Sequence, residues 1–266
     1  MAQLEFERFF KVRMDSDCGI LTLTIDKEGD KYNTFGPDLV GCLKALLESY
    51  YENETIRALI LTGSGKVFST GADIRGQFPS LDPHGARHFS YIGQRVFQMF
   101  EAAPFITCAA INGFALGGGL EIAMACDFRT ASTRARLGLP EINLGVMPGW
   151  GGTQRLPRLV GRQKALEMIL SGEPVTPQEA KELGLVCRVF EPEELLPGTM
   201  KFLAQFTKKS RTAIAVAKRA VVRGLTLSID DGLDLESELF GLLWASPDRE
   251  EGVRAFMENR KPEFKK

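Results

Sequence analysis

Two segments carry the chemistry that this chain advertises. Ser69-Thr70-Gly71-Ala72-Asp73-Ile74 and Asn112-Gly113-Phe114-Ala115-Leu116-Gly117-Gly118-Gly119-Leu120-Glu121 each place small residues, with approachable backbone N–H groups, after an apolar run that reads as a buried strand. Two such amides brought together would offer a pair of donors to a developing oxyanion. The second segment runs on into Leu120-Glu121-Ile122-Ala123-Met124-Ala125-Cys126, a good helix former, so Gly118 is expected at a helix N-terminus. There the unpaired N–H groups and the helix dipole both favour negative charge. Glu121 lies one turn in, and Glu141 follows in Leu139-Pro140-Glu141-Ile142-Asn143-Leu144-Gly145. Donors for an oxyanion together with two carboxylates suggest acid/base chemistry beside a carbonyl.

The elements that must position these groups alternate. Gly19 to Ile25 has the period-two pattern of a strand, and 58–62 and 105–111 are short apolar runs. Between the first two, Leu39, Val40, Leu43, Leu46 and Leu47 recur at helical spacing behind Pro37 and Asp38, a helix start. A polar segment, 77–101, ends in an amphipathic stretch with Phe89, Ile92, Val96, Phe97 and Phe100. Strand–helix alternation argues for an α/β architecture with right-handed crossovers. After Pro148 the character changes, with helices expected over 161–171, 176–184, 213–224 and 228–244 and a last one opening near Ser246. The expected division is a core over 1–200 and a helical region over 201–266. No fixed-period repeat is present in the residues themselves.

Composition bounds the rest. With 266 residues, 44% of them hydrophobic, the chain is long enough to bury a large core; chains of this size hide roughly three quarters of their unfolded surface. A net charge of −1 supplies no general field for nucleic acid or an anionic membrane. The five cysteines have no CxxC spacing and read as small buried hydrophobes in a reducing compartment. Residues 1–13 mix Glu5 and Glu7 with Arg8 and Lys11 and resemble neither a secretory signal nor a transit peptide. The weakly polar stretch 105–126 contains Asn112, Glu121 and glycines at a turn, so it reads as strand–turn–helix rather than a membrane span. A cytoplasmic chain is expected.

Other constellations read blandly. His84 and His88 have the spacing of a helical metal pair, but Pro83 and Gly85 flank them and no third ligand follows, so they read as surface residues and no metal is expected. Gly63-Ser64-Gly65-Lys66 lacks the first glycine and the following Ser or Thr of a phosphate loop. There is no Gly-x-Ser-x-Gly elbow. Lys208, Lys209, Arg211, Lys218, Arg219 and Arg223 read as a solvated face balancing the acidic helix that contains Asp230 and Glu238.

Four motifs in order resemble the enoyl-CoA hydratases of the crotonase superfamily: the segment from Phe68 to Ile74, the segment from Asn112 to Glu121, Pro140-Glu141-Ile142-Asn143-Leu144-Gly145, and Pro148-Gly149-Trp150-Gly151-Gly152-Thr153-Gln154-Arg155-Leu156. The tail from Glu251 to Phe256, with Arg260-Lys261-Pro262, fits as well, so the resemblance runs nearly end to end. It implies a crotonase-like spiral of ββα units with a helical C-terminal trimerisation region, assembled as a homotrimer or a hexamer. By position, it implies that the backbone N–H groups of Ala72 and Gly118 bind a thioester oxygen, with Glu121 and Glu141 as the catalytic pair. The substrate would be an acyl-CoA thioester, coenzyme A entering as part of the substrate and no separate cofactor being required. For the coenzyme A and acyl portions, Lys31, Thr70, Asp73, Ile74, Gly149 and Trp150 are the candidates, with Arg260 or Lys261 reaching across a subunit boundary. Trp150 either lines the acyl pocket or packs against the trimer core. The activity implied is hydration of a 2-enoyl-CoA. Enoyl-CoA isomerisation, hydration of a bulkier or cyclic enoyl thioester, and a non-catalytic RNA-binding or scaffolding role are the alternatives.

Overall fold

The computed structural model describes residues 6–264, so part of the sequence reading at 1–13 lies outside the described residues. A six-stranded sheet forms the frame. It comprises β1 (Phe10–Asp15), β2 (Ile20–Ile25), β3 (Ala58–Gly63), β5 (Ile106–Ile111), β7 (Phe128–Ser132) and β9 (Arg188–Phe190), adjacent in that order. Only β1 runs antiparallel to its neighbour. A second sheet of three short parallel strands, β4 (Val67–Ser69), β6 (Phe114–Leu116) and β8 (Arg136–Gly138), lies beside it. Each large-sheet strand from β3 to β7 is thus followed by a short one, which gives the chain its spiral of repeating units.

β3 and β5 are buried nearly throughout because the large sheet is covered on both faces, whereas β2 alternates apolar residues with threonines. Leu21, Leu23, Ile25, Leu59, Leu61, Ala109 and Ile111 point into the main core, against Leu39, Leu43 and Leu47 of α1 (Pro37–Tyr51) and beside Val96, Phe97 and Phe100 further along the chain. The alternate residues Ile20, Ala58, Ile60, Ile106, Cys108 and Ala110 meet Leu195 and Leu203 on the other side. After α1 come α2 (Ile74–Gln77), α3 (Pro83–Ala102), α4 (Gly118–Ala125), α5 (Gly152–Val160), α6 (Arg162–Ser171) and α7 (Pro177–Glu182). The chain ends in α8 (Leu195–Thr207), α9 (Arg211–Gly224), α10 (Ile229–Trp244) and α11 (Pro247–Met257).

Three expectations need adjusting. The segment from Pro83 to Ala102 is one continuous helix, capped by Asp82, whose side chain accepts from Gly85 N at 2.6 Å. The boundary expected at residue 200 falls inside α8, whose Leu203 is buried against the large sheet. Lys218 is not on a solvated face. Its side chain is 9% exposed, donates to Phe100 O (2.9 Å) and Phe105 O (3.1 Å), and pairs with Asp127 at 2.8 Å. A buried charge needs such partners, and this one ties α9 to the core. The five cysteines are free thiols, and among the described residues no helix is long and apolar enough to cross a membrane.

Candidate active site

The three short parallel strands explain why distant motifs meet. β4 ends at Ser69, just before Thr70-Gly71-Ala72; β6 ends at Leu116, just before Gly117-Gly118; β8 ends at Gly138, just before Leu139-Pro140-Glu141. Parallel strands present their C-terminal ends on one side, where ligands of α/β sheets are commonly met. Leu116 pairs with Gly138 in register, and Gly117 N donates to Gly138 O at 3.0 Å, locking the second and third exits together. The first is locked to the second by close packing: a Cβ on Gly71 would lie 2.6 Å from Gly118 N.

Around Ala72, Phe35 N donates to Gly71 O and Asp73 N donates to Phe35 O. Around Gly118, Leu120 N and Glu121 N both donate to Gly117 O. These bonds fix the backbone on either side of the Ala72 and Gly118 amides. Gly117 has φ +52° and ψ −127°, a conformation that a side chain would strain. A Cβ there would also meet Glu141 Oε1 at 3.1 Å, so the second carboxylate lies directly over this turn.

Glu121 is buried on an otherwise apolar helix, 2% exposed. Its Oε1 accepts from Trp150 N at 2.8 Å and from Gly152 N at 2.7 Å. Burial, and then the facing Glu141 charge, push its pKa up to about 7 against those two bonds and the attraction of Arg155. Glu141 sits in the 3-10 turn 140–144 after β8, and burial raises it to about 7 as well. Its Oε2 is buried without a hydrogen-bond partner. Such an orphaned acceptor is costly in a finished interior and marks a position where a proton, a water or a substrate atom belongs. One turn supplies donors, and two carboxylates poised near neutrality flank it: the site can stabilise a negatively charged oxygen while moving protons.

Trp150 is 3% exposed and is packed among Phe35, Phe89 and Phe97, with ring centroids 6.0, 5.0 and 5.4 Å away. Its ring also lies against the Gly117–Gly118 turn, since a Cβ on Gly118 would come within 2.5 Å of Cε3 and Cζ3. On the other side a Cβ on Gly93 of α3 would lie 2.2 Å from Nε1. Residue 150 therefore touches both halves of the site, by its N–H to Glu121 and by its indole to Gly118.

The remaining sequence candidates fall into two groups. Thr70 N donates to Tyr32 O at 3.1 Å, bringing the exposed Lys31 loop beside the 70–74 segment, with Lys31 Nζ 4.9 Å from the Tyr32 ring centroid. Asp73 caps α2, accepting from Gly76 N at 3.0 Å, and its other oxygen lies 3.9 Å from Lys27 Nζ; Ile74 is exposed behind it. Gly149 O accepts from Ser90 Oγ at 2.6 Å. Arg260 is forked onto Glu251 and also pairs with Glu258, so its charge is matched within the chain. His84 and His88 are exposed on α3. The sequence reading did not single out Ser90, Gln94, Glu101 or the role of Arg155. The first two stand four apart on one helix, which identifies a shared face but not what it holds.

The profile of the enoyl-CoA hydratase/isomerase family matches residues 15–266. The chain is 42% identical over 233 residues to a crotonyl-CoA hydratase of Syntrophomonas wolfei, covering 87% of this chain and 89% of that protein. It is 37% identical to a short-chain-enoyl-CoA hydratase of Clostridium acetobutylicum, over 95% and 96% of the two. A crystal structure of an enoyl-CoA hydratase from Bacillus anthracis superposes with a TM-score of 0.89 at 34% identity, over 96% of this chain and 98% of that one.

Proposed function

The chain belongs to the enoyl-CoA hydratase/isomerase (crotonase) family, and from that premise we propose that it adds water across the 2,3 double bond of an enoyl-CoA to give the 3-hydroxyacyl-CoA. The observation that carries this reading is the pair of carboxylates beside the Gly117–Gly118 turn, Glu121 buried and Glu141 partly so, the latter with an orphaned oxygen.

Attack of water at the β-carbon drives electrons onto the thioester oxygen. The Ala72 and Gly118 amides bind that oxygen, each worth about 3–4 kcal/mol by analogy with other oxyanion holes. Glu121, held by two N–H donors, is the ionised partner that takes a proton from the attacking water. Glu141 delivers a proton to the α-carbon. Two carboxylates raised together titrate as a coupled pair, and the working form carries one proton between them. Activity is then bell-shaped in pH about neutrality, lost on the acid side as the pair gains its second proton and on the alkaline side as it loses its last.

Thr70, Asp73 and Ile74, with Lys31 at the rim, form the proposed approach for coenzyme A, and Gly149 and Trp150 border the acyl end. Self-association through the C-terminal helices and a cytoplasmic setting complete the reading. The loss of Lys218 to an internal ion pair thins the basic face on which an RNA-binding role would depend. The test is loss of enoyl-thioester absorbance with crotonyl-CoA, the product being checked by mass. Loss with a gain of one water is expected. A product of unchanged mass would replace hydration with isomerisation.

A further inference from the structure

We infer that Ser90 and Gln94 of α3 are positioning residues for Glu121, acting through the single peptide unit that joins Gly149 to Trp150. This inference rests on the proposed hydratase reading. Gly149 O accepts from Ser90 Oγ at 2.6 Å and from Gln94 Nε2 at 2.9 Å. Gln94 Nε2 also donates to Ser90 Oγ at 3.1 Å, so the two side chains support each other. The described peptide bonds are all trans. In a planar trans peptide the C=O of one residue and the N–H of the next point in opposite directions. Pulling Gly149 O towards α3 therefore turns Trp150 N–H away from α3, onto Glu121 Oε1 at 2.8 Å.

The next peptide is braced in the same way. Trp150 O accepts from Arg155 Nη1 at 2.9 Å, and Arg155 is forked onto Glu101 of α3 at 2.7 and 3.1 Å. Apart from Trp150, this loop has only glycines at 149, 151 and 152, with no side chains of their own to pack. Its orientation comes from these external grips, and the grip on Gly149 O is the one that sets the Trp150 N–H. The same helix holds the residue's side chain, through the contact of the indole with Gly93 and Phe97. One face of α3 thus carries a carboxylate's hydrogen bond across a peptide plane without touching the carboxylate.

The charges facing Glu121 are Glu141, from the turn after β8, and Arg155 of α5, itself matched by Glu101 of α3. None of these is altered by replacing Ser90 or Gln94, so a change in the titration of Glu121 reports the peptide. Releasing Gly149 O weakens a bond that favours the ionised form, and the pKa of Glu121 rises.

The variants are Ser90→Ala, Gln94→Ala, the pair together, and Ser90→Thr, which keeps the hydroxyl. For crotonyl-CoA hydration the double variant is expected to lose about tenfold in kcat, the size of one net hydrogen bond, with KM little changed. The acid limb of its pH profile moves upward, while Ser90→Thr keeps the parent profile. The carboxyl signals of 13C-glutamate-labelled protein, assigned with Glu121→Gln, give the same titration without turnover. An upward move of the Glu121 signal in the double variant supports the inference even if the parent enzyme fails to hydrate crotonyl-CoA, a failure that would count against the hydratase reading alone. A folded double variant whose Glu121 signal and acid limb stay where they were overturns the inference, whatever its kcat.

Discussion

Glu121 and Glu141 are bound by the same constraint from opposite directions. In the proposed reaction, each must be dry enough to titrate near neutrality, yet each must reach the reacting atoms. The structure answers with two amides for Glu121 and an unpartnered oxygen for Glu141. Glu141→Gln should therefore abolish hydration while leaving CoA-ester binding within a few-fold, read by turnover and by calorimetry; near-normal turnover would sink the two-carboxylate mechanism. Stability carries a separate signature. The folded pKa of Glu121, about 7, lies above the value of about 4.3 for an unfolded glutamate. The folded state therefore holds a proton that the unfolded state has released, and stability falls as pH rises between the two values. Glu121→Gln removes that loss, so its Tm should exceed the parent's at pH 8 and the gap should close towards pH 5, by thermal melts across that range. Trp150→Ala is expected to open space beside Gly118, raising kcat/KM for octenoyl-CoA relative to crotonyl-CoA by about tenfold or more, the worth of a few methylenes in a pocket. An unchanged ratio would confine the indole to core packing.

Among the elements, several long ones matched their sequence patterns, but only the end of α3 and nothing of α8 was expected, and the short strands did not announce themselves. The helix expected from the leucines at 39, 43 and 47 spans Pro37–Tyr51, and the runs at 58–62 and 105–111 are β3 and β5. Three-residue strands such as β4, β6 and β8 are too short to display a period, although they are the elements that gather the site. Lys218 shows the other blind spot. Its neighbours Lys208, Lys209, Arg219 and Arg223 suggest solvent, and only the packing of α9 beside Asp127 makes it a buried pair. Asp127 is further held by Thr107 N (2.8 Å) and Thr107 Oγ1 (3.1 Å). Removing one partner leaves an uncompensated interior charge. Asp127→Asn or Lys218→Met alone should cost about 3–5 kcal/mol, and the double variant less than the sum, by urea denaturation. Additive losses would mean that the pair contributes nothing as a pair.

At the level of the whole molecule, the final helices leave their apolar residues uncovered. Ile229, Leu242 and Trp244 of α10 and Phe256 and Met257 of α11 are exposed, as is Leu225 just beyond α9. A surface of this kind is unusual for a monomer and fits the proposed self-association. Light scattering coupled to size exclusion should give the mass of three or six chains, and Leu242→Glu with Phe256→Glu should shift it downward. A parent protein that elutes as a monomer at micromolar concentration would remove that part of the reading.

The ordered motifs around Ala72, Gly118, Glu121 and Glu141, the alternation of β2 and the apolar runs of β3 and β5 could be read without coordinates, because glycine spacing, helix-start chemistry and strand pattern are local properties of the chain. Which residues brace the site could not. Ser90 and Gln94 lie 59 and 55 positions from Gly149, and nothing local to α3 records that their shared face meets that carbonyl. The burial that lifts both glutamates towards neutrality, the close approach of Gly71 to Gly118 and the seat of the Trp150 ring were decided by tertiary structure alone, because each depends on distances between segments that the chain order leaves free.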